Sequence, residues 1–368
     1  MLRARARIDL GAIERNCRRL DAAAGDAALC AVVKGDGYGH GAVPAARAAL
    51  AGGATWLAVA TANEASALRE AGIDARLVDL GALSPDELDV ALQADADVVA
   101  WTSGLLDAVA ARGGGRVHIK LDTGMGRLGT RDPAEATALA RRAVDDPALT
   151  LAGLLTHFAT ADDLGDGFLD EQLARFVDWA TPLKRDRPNL VLHAANSAAT
   201  LREPRAHFDL VRCGVAIYGL DPFGRDPAEQ DLEPAMTLTS YVAAVKGVQP
   251  GESAGYGRRF VAEEPATLAT VPIGYADGVR RGLTNNADIL IGGRRRPLAG
   301  TVSMDNVTAL VDDDVSELDE VVLIGEQDGE RVLAEEWAAR LGTINYEVTC
   351  GISARVPREY GPDDGLEA

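Results

Sequence analysis

A lysine placed directly after an apolar run is the first residue that invites chemistry: Lys34 follows Ala31, Val32 and Val33 in the segment AVVKGDGYGHG. An amine at the end of a buried strand loses hydration, its pKa falls, and the neutral form can attack a carbonyl to make a Schiff base. The same position also suits a lysine that snorkels to solvent. Gly35, Gly37, Gly39 and Gly41 weigh toward a ligand because they let the backbone approach one closely, and Tyr38 and His40 lie within reach.

Further along, HIKLDTGMGRLG puts Lys120 and Asp122 on one face of a strand and turns through Gly124 and Gly126 to Arg127. Such a cluster means either an anionic substrate or a salt-bridge network. Thr156 and His157 close one apolar run, Asn196 and Ser197 another, and Arg212 a third. Ser197 ahead of a helical stretch, with Gly214 and Val215 after the Arg212 run, offers a hydroxyl and backbone amides that suit a phosphate. Gly251, Ser253 and Gly255 match the G-x-S-x-G of serine hydrolases, but no strand-to-helix turn surrounds them. No H-E-x-x-H or P-loop is present, so no metal is expected, and His40, His118, His193 and His207 read as structural or surface groups.

Side chains so scattered need a scaffold that gathers strand ends. Eight runs read as strands: Leu29 to Val33, Trp56 to Ala60, Ala75 to Leu80, Asp97 to Trp101, Val117 to Leu121, Leu149 to Leu155, Leu190 to His193 and Asp209 to Arg212. Helical stretches alternate with them, such as Asn63 to Ala71, opening on an N-cap type residue, and Pro85 to Leu92, capped by Ser84 with Pro85 at the first helical position. Strand and helix in alternation mean parallel strands. Their count and even spacing, about 26 residues per step, favour an eight-stranded βα barrel over a doubly wound open sheet.

After about residue 230 the texture changes. Met236 to Val248, Thr267 to Ile273, Ile289 to Ile291, Val307 to Val311 and Val321 to Ile324 are strand-like, with Ala334 to Leu341 as the single helix. The reading is an α/β chain of two domains: residues 1–230 a barrel, residues 231–368 mainly β. The Arg/Ala alternation of Leu2 to Ile8 suits a strand pairing with the second domain, and Gly361 to Ala368 reads as frayed.

The 368 residues carry 37 basic and 56 acidic side chains, a net charge of −19, which argues against nucleic acid or an anionic membrane as a general partner. No apolar run nears the roughly 18 to 20 residues that cross a bilayer. MLRARARIDL has charge but no apolar signal core, so the cytoplasm is expected. Cys17, Cys30, Cys213 and Cys350 are scattered without a C-x-x-C and are expected to be buried thiols.

Taken in order, AVVKGDGYGHG, HIKLDTGMGRLG, GLLTHFATAD, HAANSAAT, VRCGVAIYG, SAGYGRRF, PIGYADG, GTVSMDN and SARVPREY closely resemble the alanine racemase family of fold-type III pyridoxal-phosphate enzymes, across nearly the whole chain. The resemblance implies interconversion of L- and D-alanine, pyridoxal 5'-phosphate as cofactor, and a homodimer whose active sites draw on both subunits. By that likeness Lys34 carries the cofactor, and Tyr256 from the partner subunit is the opposing acid/base. Tyr38, Ser197, Gly214 and Val215 would hold the phosphate, with Asn196 beside it. His157 would lie against the cofactor ring and link Tyr256 to Arg212, which would face the pyridine nitrogen. Arg127 and the Met304 amide would meet the substrate carboxylate. Lys120 matches a position often carbamylated to hold that arginine, while Tyr275 and Asp305 would line the approach.

An arginine facing the ring nitrogen has donors only, so it favours an unprotonated ring, a weaker electron sink that suppresses transamination. This separates the chain from amino-acid decarboxylases of the same cofactor fold, which place an acid there. Noncatalytic cofactor carriers of this fold stop after the barrel, whereas this chain continues for about 140 residues bearing Tyr256. One departure stands out: Ala354 occupies a position where some members have tyrosine, so serine or another small amino acid is an alternative substrate.

Overall fold

The computed structural model describes residues 2–361. All but the first residue of the acidic end read as frayed lies outside that range. The chain divides into two units: one is Ile13–Ile217, and the other joins the residues up to Ala12 to those from Tyr218 onward. The partition thus falls at Tyr218 rather than 230.

In the second unit, β1 (Arg5–Asp9) lies antiparallel to Met236–Tyr241, with Arg5 opposite Thr239 and Ile8 opposite Met236. The Arg/Ala alternation explains it. Ala4, Ala6 and Ile8 are buried, while Arg5 and Arg7 turn toward Glu320 on the other face. Around this pair runs a sheet ordered Arg294–Pro297, Asp288–Ile291, Glu320–Gln327, Met236–Tyr241, β1, Arg358–Gly361. A second sheet holds Ala244–Val248, Ala266–Val271 and Val307–Val311. The run expected as one strand, Met236 to Val248, therefore breaks into two strands serving different sheets. Ala334–Leu341 is helical, but not alone, since Asn345–Cys350 forms another helix. Its six residues are too few to display a helical period.

The other unit is the barrel. Its strands are β2 (Ala28–Val32), β3 (Trp56–Val59), β4 (Arg76–Asp79), β5 (Asp97–Ala100), β6 (Gly115–Lys120), β7 (Leu149–Leu155), β8 (Val191–His193) and β9 (Leu210–Cys213). They pair in parallel in the order β8-β7-β6-β5-β4-β3-β2-β9. The seam between β8 and β9 is joined by Asp209 N–H to Leu192 O, 3.1 Å, and Arg212 N–H to Ala195 O, 3.0 Å. Helix starts follow local chemistry. Ser84 and Glu87 make a reciprocal capping box for Pro85–Gln93, while the helix expected from Asn63 begins at Ala62, capped by Thr61.

Alternation along each strand decides what fills the barrel. One parity supplies a core of Cys30, Val32, Trp56, Ala58, Val78, Val99, Leu155 and Leu210. The same inward parity carries Arg76, Asp97, His118, Lys120, His193 and Arg212. The interior is thus apolar on one side and heavily polar on the other. Cys17, Cys30 and Cys213 are buried as expected, whereas Cys350 is exposed. Among the described residues no helix is long and apolar enough to cross a membrane.

Candidate active site

Lys34 follows β2 by two residues and opens a turn unlike an ordinary helix. Gly35, Asp36, Gly37 and Tyr38 all have φ between 51 and 62°, the left-handed region. Such a run is costly for L-residues, roughly 1–2 kcal/mol at each non-glycine position, and two of its four residues are glycine, which escapes that penalty. The turn is tied by Gly37 N–H to Val33 O, 2.9 Å, and Gly39 N–H to Gly35 O, 3.0 Å, with the ring of buried His40 against the carbonyls of Gly37 and Tyr38. It leaves Lys34 half-buried and swings Tyr38 back over the barrel.

Tyr38 lands on Gly214. A Cβ at Gly214 would sit 2.3 Å from the Tyr38 hydroxyl, so only glycine leaves room for the phenol. The Ser197 hydroxyl oxygen accepts from the Gly214 amide at 3.0 Å and from the Ala216 amide at 3.4 Å. Tyr38, Ser197, Gly214 and the start of the 3₁₀ turn Val215–Tyr218 therefore form one cluster of donors, assembled from three segments of sequence. Asn196 is occupied differently, as its side-chain oxygen caps the helix Ser197–Arg202 by accepting from Ala199 N–H at 3.0 Å.

Arg212 is buried on β9. One Nη donates to the carbonyls of Thr156, 2.8 Å, and Ala194, 3.1 Å, and to His157 Nδ1, 3.2 Å; the other donates to His193 Nδ1, 3.1 Å. Burial draws its pKa down to about 10, which leaves it protonated at neutral pH. His157 is driven well below the usual histidine range by burial, then by the charges of Arg212, Lys120, Arg127 and Lys34. It is a neutral imidazole. Burial and the neighbouring Arg212 and Arg127 bring Lys120 down to about 8, so a real fraction of its amine is unprotonated at neutral pH. Lys34, Lys120, Arg127 and Arg212 thus share one field, a basic pocket in a strongly acidic protein, suited to an anion.

Of the charges seen in sequence, Asp122 plays a different part. Its carboxylate accepts from the amides of Gly124 and Gly126 and from Arg131, holding the loop that carries Arg127. Sequence reading missed several supports. Gln172 is fully buried and donates to the His157 carbonyl and to Thr123 Oγ1, which pairs with Thr156 Oγ1 at 2.8 Å. His118 and His193, taken as structural or surface groups, lie directly behind Arg212. The shared parity of His118 and Lys120 was the available signal.

Tyr256, Tyr275, Met304 and Asp305 belong to the other unit. Tyr256 begins a 3₁₀ turn flanked by Gly255, φ 70°, and is 75% exposed; its carbonyl accepts from Thr301 Oγ1 at 2.6 Å. Met304 and Tyr275 are also exposed, and their segments are joined by Tyr275 N–H to Ser303 O, 2.9 Å, and Ala276 N–H to Met304 O, 3.0 Å. Asp305 pairs with Arg355 at 2.7 Å, next to exposed Ala354. The G-x-S-x-G serine, Ser253, lies in a two-stranded hairpin and accepts from Arg258, with no helix behind it.

Comparison with known proteins bears on both units. A family model described as "Alanine racemase, N-terminal domain" matches residues 8–222, and one described as "Alanine racemase, C-terminal domain" matches residues 235–360. The alanine racemase of Frankia casuarinae is 47% identical over 98% of this chain and 96% of its own length. The crystal structure of alanine racemase from D-cycloserine-producing Streptomyces lavendulae superposes with a TM-score of 0.92 at 40% identity, covering 100% of this chain and 98% of that one. That of Bacillus anthracis with bound L-Ala-P gives 0.91 at 36% identity, covering 100% and 97%.

Proposed function

The chain belongs to the alanine racemase family and is an amino-acid isomerase; we propose that it interconverts L- and D-alanine with pyridoxal 5'-phosphate, using Lys34 on one face of the substrate and Tyr256 of a second subunit on the other. The observation that carries the cofactor is the donor cluster of Tyr38, Ser197, Gly214 and Val215, too crowded at Gly214 for any Cβ, adjoining the basic pocket of Lys34 and Arg212. These residues fit a phosphate and an aromatic nitrogen. Tyr38, Ser197 and the amides of Gly214 and Val215 would hold the phosphate, with Asn196 at its edge. Lys34 would bind the aldehyde carbon, and Arg212 would donate to the ring nitrogen. When bound, the cofactor withdraws the electron pair left as the α-proton departs.

Racemisation removes a proton from the α-carbon on one face and returns one on the other, so each face needs its own acid/base. The Lys34 amine takes or gives the proton at Nζ. The Tyr256 phenol does so at Oη, starting from an ordinary pKa near 10, so it needs cationic neighbours to act as a base at neutral pH. His157 donates nothing to Arg212, because its Nδ1 accepts from the guanidinium; its Nε2–H remains for Tyr256. Arg127 and the Met304 amide would grip the carboxylate. A Lys120 amine with a pKa of about 8 is the form that adds carbon dioxide, releasing a proton to give a carbamate able to pair with Arg127.

A homodimer follows from the same reading, because Tyr256, Tyr275 and Met304 are exposed groups on the second unit and gain a role once another subunit's barrel meets them. Incubation with L-alanine in deuterated water tests it: α-deuterium with loss of optical rotation is expected, and amine with carbon dioxide, or no exchange, would overturn it. The small Ala354 favours tolerance of serine as well, read by chiral product analysis over a panel of amino acids.

A further inference from the structure

Burial of Arg212 raises a difficulty that its neighbours do not resolve. The guanidinium is 4% exposed and stripped of water, a state that ordinarily demands a carboxylate partner. Its hydrogen bonds go instead to two carbonyls and two imidazoles, and among the described residues it makes no ion pair.

The missing charge lies further down the barrel. His193 Nε2 is 2.9 Å from His118 Nδ1, and His118 Nε2 is 2.9 Å from Asp97 Oδ2. Asp97, fully buried, also receives Arg76 Nε and Nη2 at 3.1 and 2.9 Å, and Arg116 Nε. Asp97 opens β5 and Arg76 opens β4, so the line runs from the N-terminal end of the barrel to the mouth. Burial works against the Asp97 carboxylate, yet the N–H of His118 and the guanidiniums of Arg116 and Arg76 hold it down to about 2.

Donor and acceptor rules leave every proton one place. A guanidinium can only donate, so His193 Nδ1 accepts and its proton sits on Nε2. That N–H donates to His118 Nδ1, whose ring then carries its proton on Nε2 and donates to Asp97. A second proton on either ring would oppose the N–H already aimed at it. Burial and the proximity of Arg212 act on both rings in the same sense. The strands make room for this line. The register of β6 on β7 slips between Val117 and His118, bringing Gly153 opposite His118, where a Cβ would lie 2.4 Å from Nδ1.

We infer that Asp97, His118 and His193 are positioning residues for Arg212. Asp97 is its counterion across two neutral imidazoles of fixed tautomer, and the polarised chain aims the remaining guanidinium N–H bonds at the site. The catalytic consequence rests on Arg212 facing the cofactor ring, as proposed above; the tautomers do not.

Full-length protein labelled with ¹⁵N-histidine reports the tautomers directly at neutral pH. His118 and His193 are expected neutral with the proton on Nε2, and either ring as imidazolium or with its proton on Nδ1 would overturn the inference. In Asp97→Asn and His118→Phe, kcat for alanine is expected to fall at least about tenfold, as when outer groups that orient a ligand are removed, with KM within about twofold. The pH dependence of the bound cofactor's visible band should shift as well. A merely structural role would lower stability and leave the band unmoved, and folded variants with parental kcat and band would also overturn the inference. If either variant fails to fold, the parent's tautomers still decide. A parent without racemase activity would refute the proposed function alone.

Discussion

Gly153→Ala adds one methyl group at the place where the barrel interior is most sharply constrained. The new Cβ would lie 2.4 Å from His118 Nδ1 and 2.6 Å from the carbonyl oxygen of Val191. Val191 is the direct β8 partner of Gly153, so its backbone cannot retreat without opening the β7–β8 ladder. His118 must move instead, and with it goes the bond to His193 Nε2. Overpacking a tight interior costs about 1–3 kcal/mol. Leaving a buried N–H without its acceptor adds about 1–3 kcal/mol. The sum, about 2–6 kcal/mol, lowers Tm by roughly 5–20 °C in a unit of this size. Gly104→Ala is the matched control: nothing lies within 4 Å of its Cβ, it opens a helix, and it should gain about 0.4–1 kcal/mol by restricting the unfolded chain. Thermal unfolding followed by circular dichroism, with kcat measured on the same samples, reads both. A Gly153→Ala protein as stable and active as the parent would refute the claim that this glycine exists to seat His118.

Lys34→Ala should lose both activity and the yellow colour of the bound cofactor, judged by absorbance of the purified protein. Tyr256→Phe should keep the colour but slow turnover, by at least the roughly hundredfold contribution of a positioned acid/base and more in one direction than the other; equal parental rates both ways would contradict the two-base scheme. Asp79→Asn should stabilise the fold near pH 7. Burial raises the Asp79 carboxyl from 3.8 to about 6, so the folded state loses stability as pH climbs through that window. The full penalty, up to about 3 kcal/mol, is present above it. Denaturation midpoints for parent and variant should differ near pH 7 and converge near pH 4.

The alternation of apolar runs with capped helices was enough to predict the barrel, because parallel strands buried on both sides leave a repeated local signature. Positions such as Ser84 and Pro85 worked for the same reason: a cap is made by residues three apart. Where pairing is long-range, the reading faltered. Met236 to Val248 looks like one strand, and nothing local reveals that it changes sheets near Val242.

Site residues divided along the same line. Lys34, Arg127, Ser197 and Arg212 were legible because each stands out in kind against its own segment, and the motif order through SARVPREY carried the family. Asp122 was misjudged, since its partners are loop amides that have no side-chain signature. His118, His193 and Asp97 sit far apart in sequence, each an unremarkable polar residue in its own strand. Local chemistry determined which residues could react; only closure of the barrel, which turns one parity of eight strands toward a common axis, decided which of them touch and where every proton between them must lie.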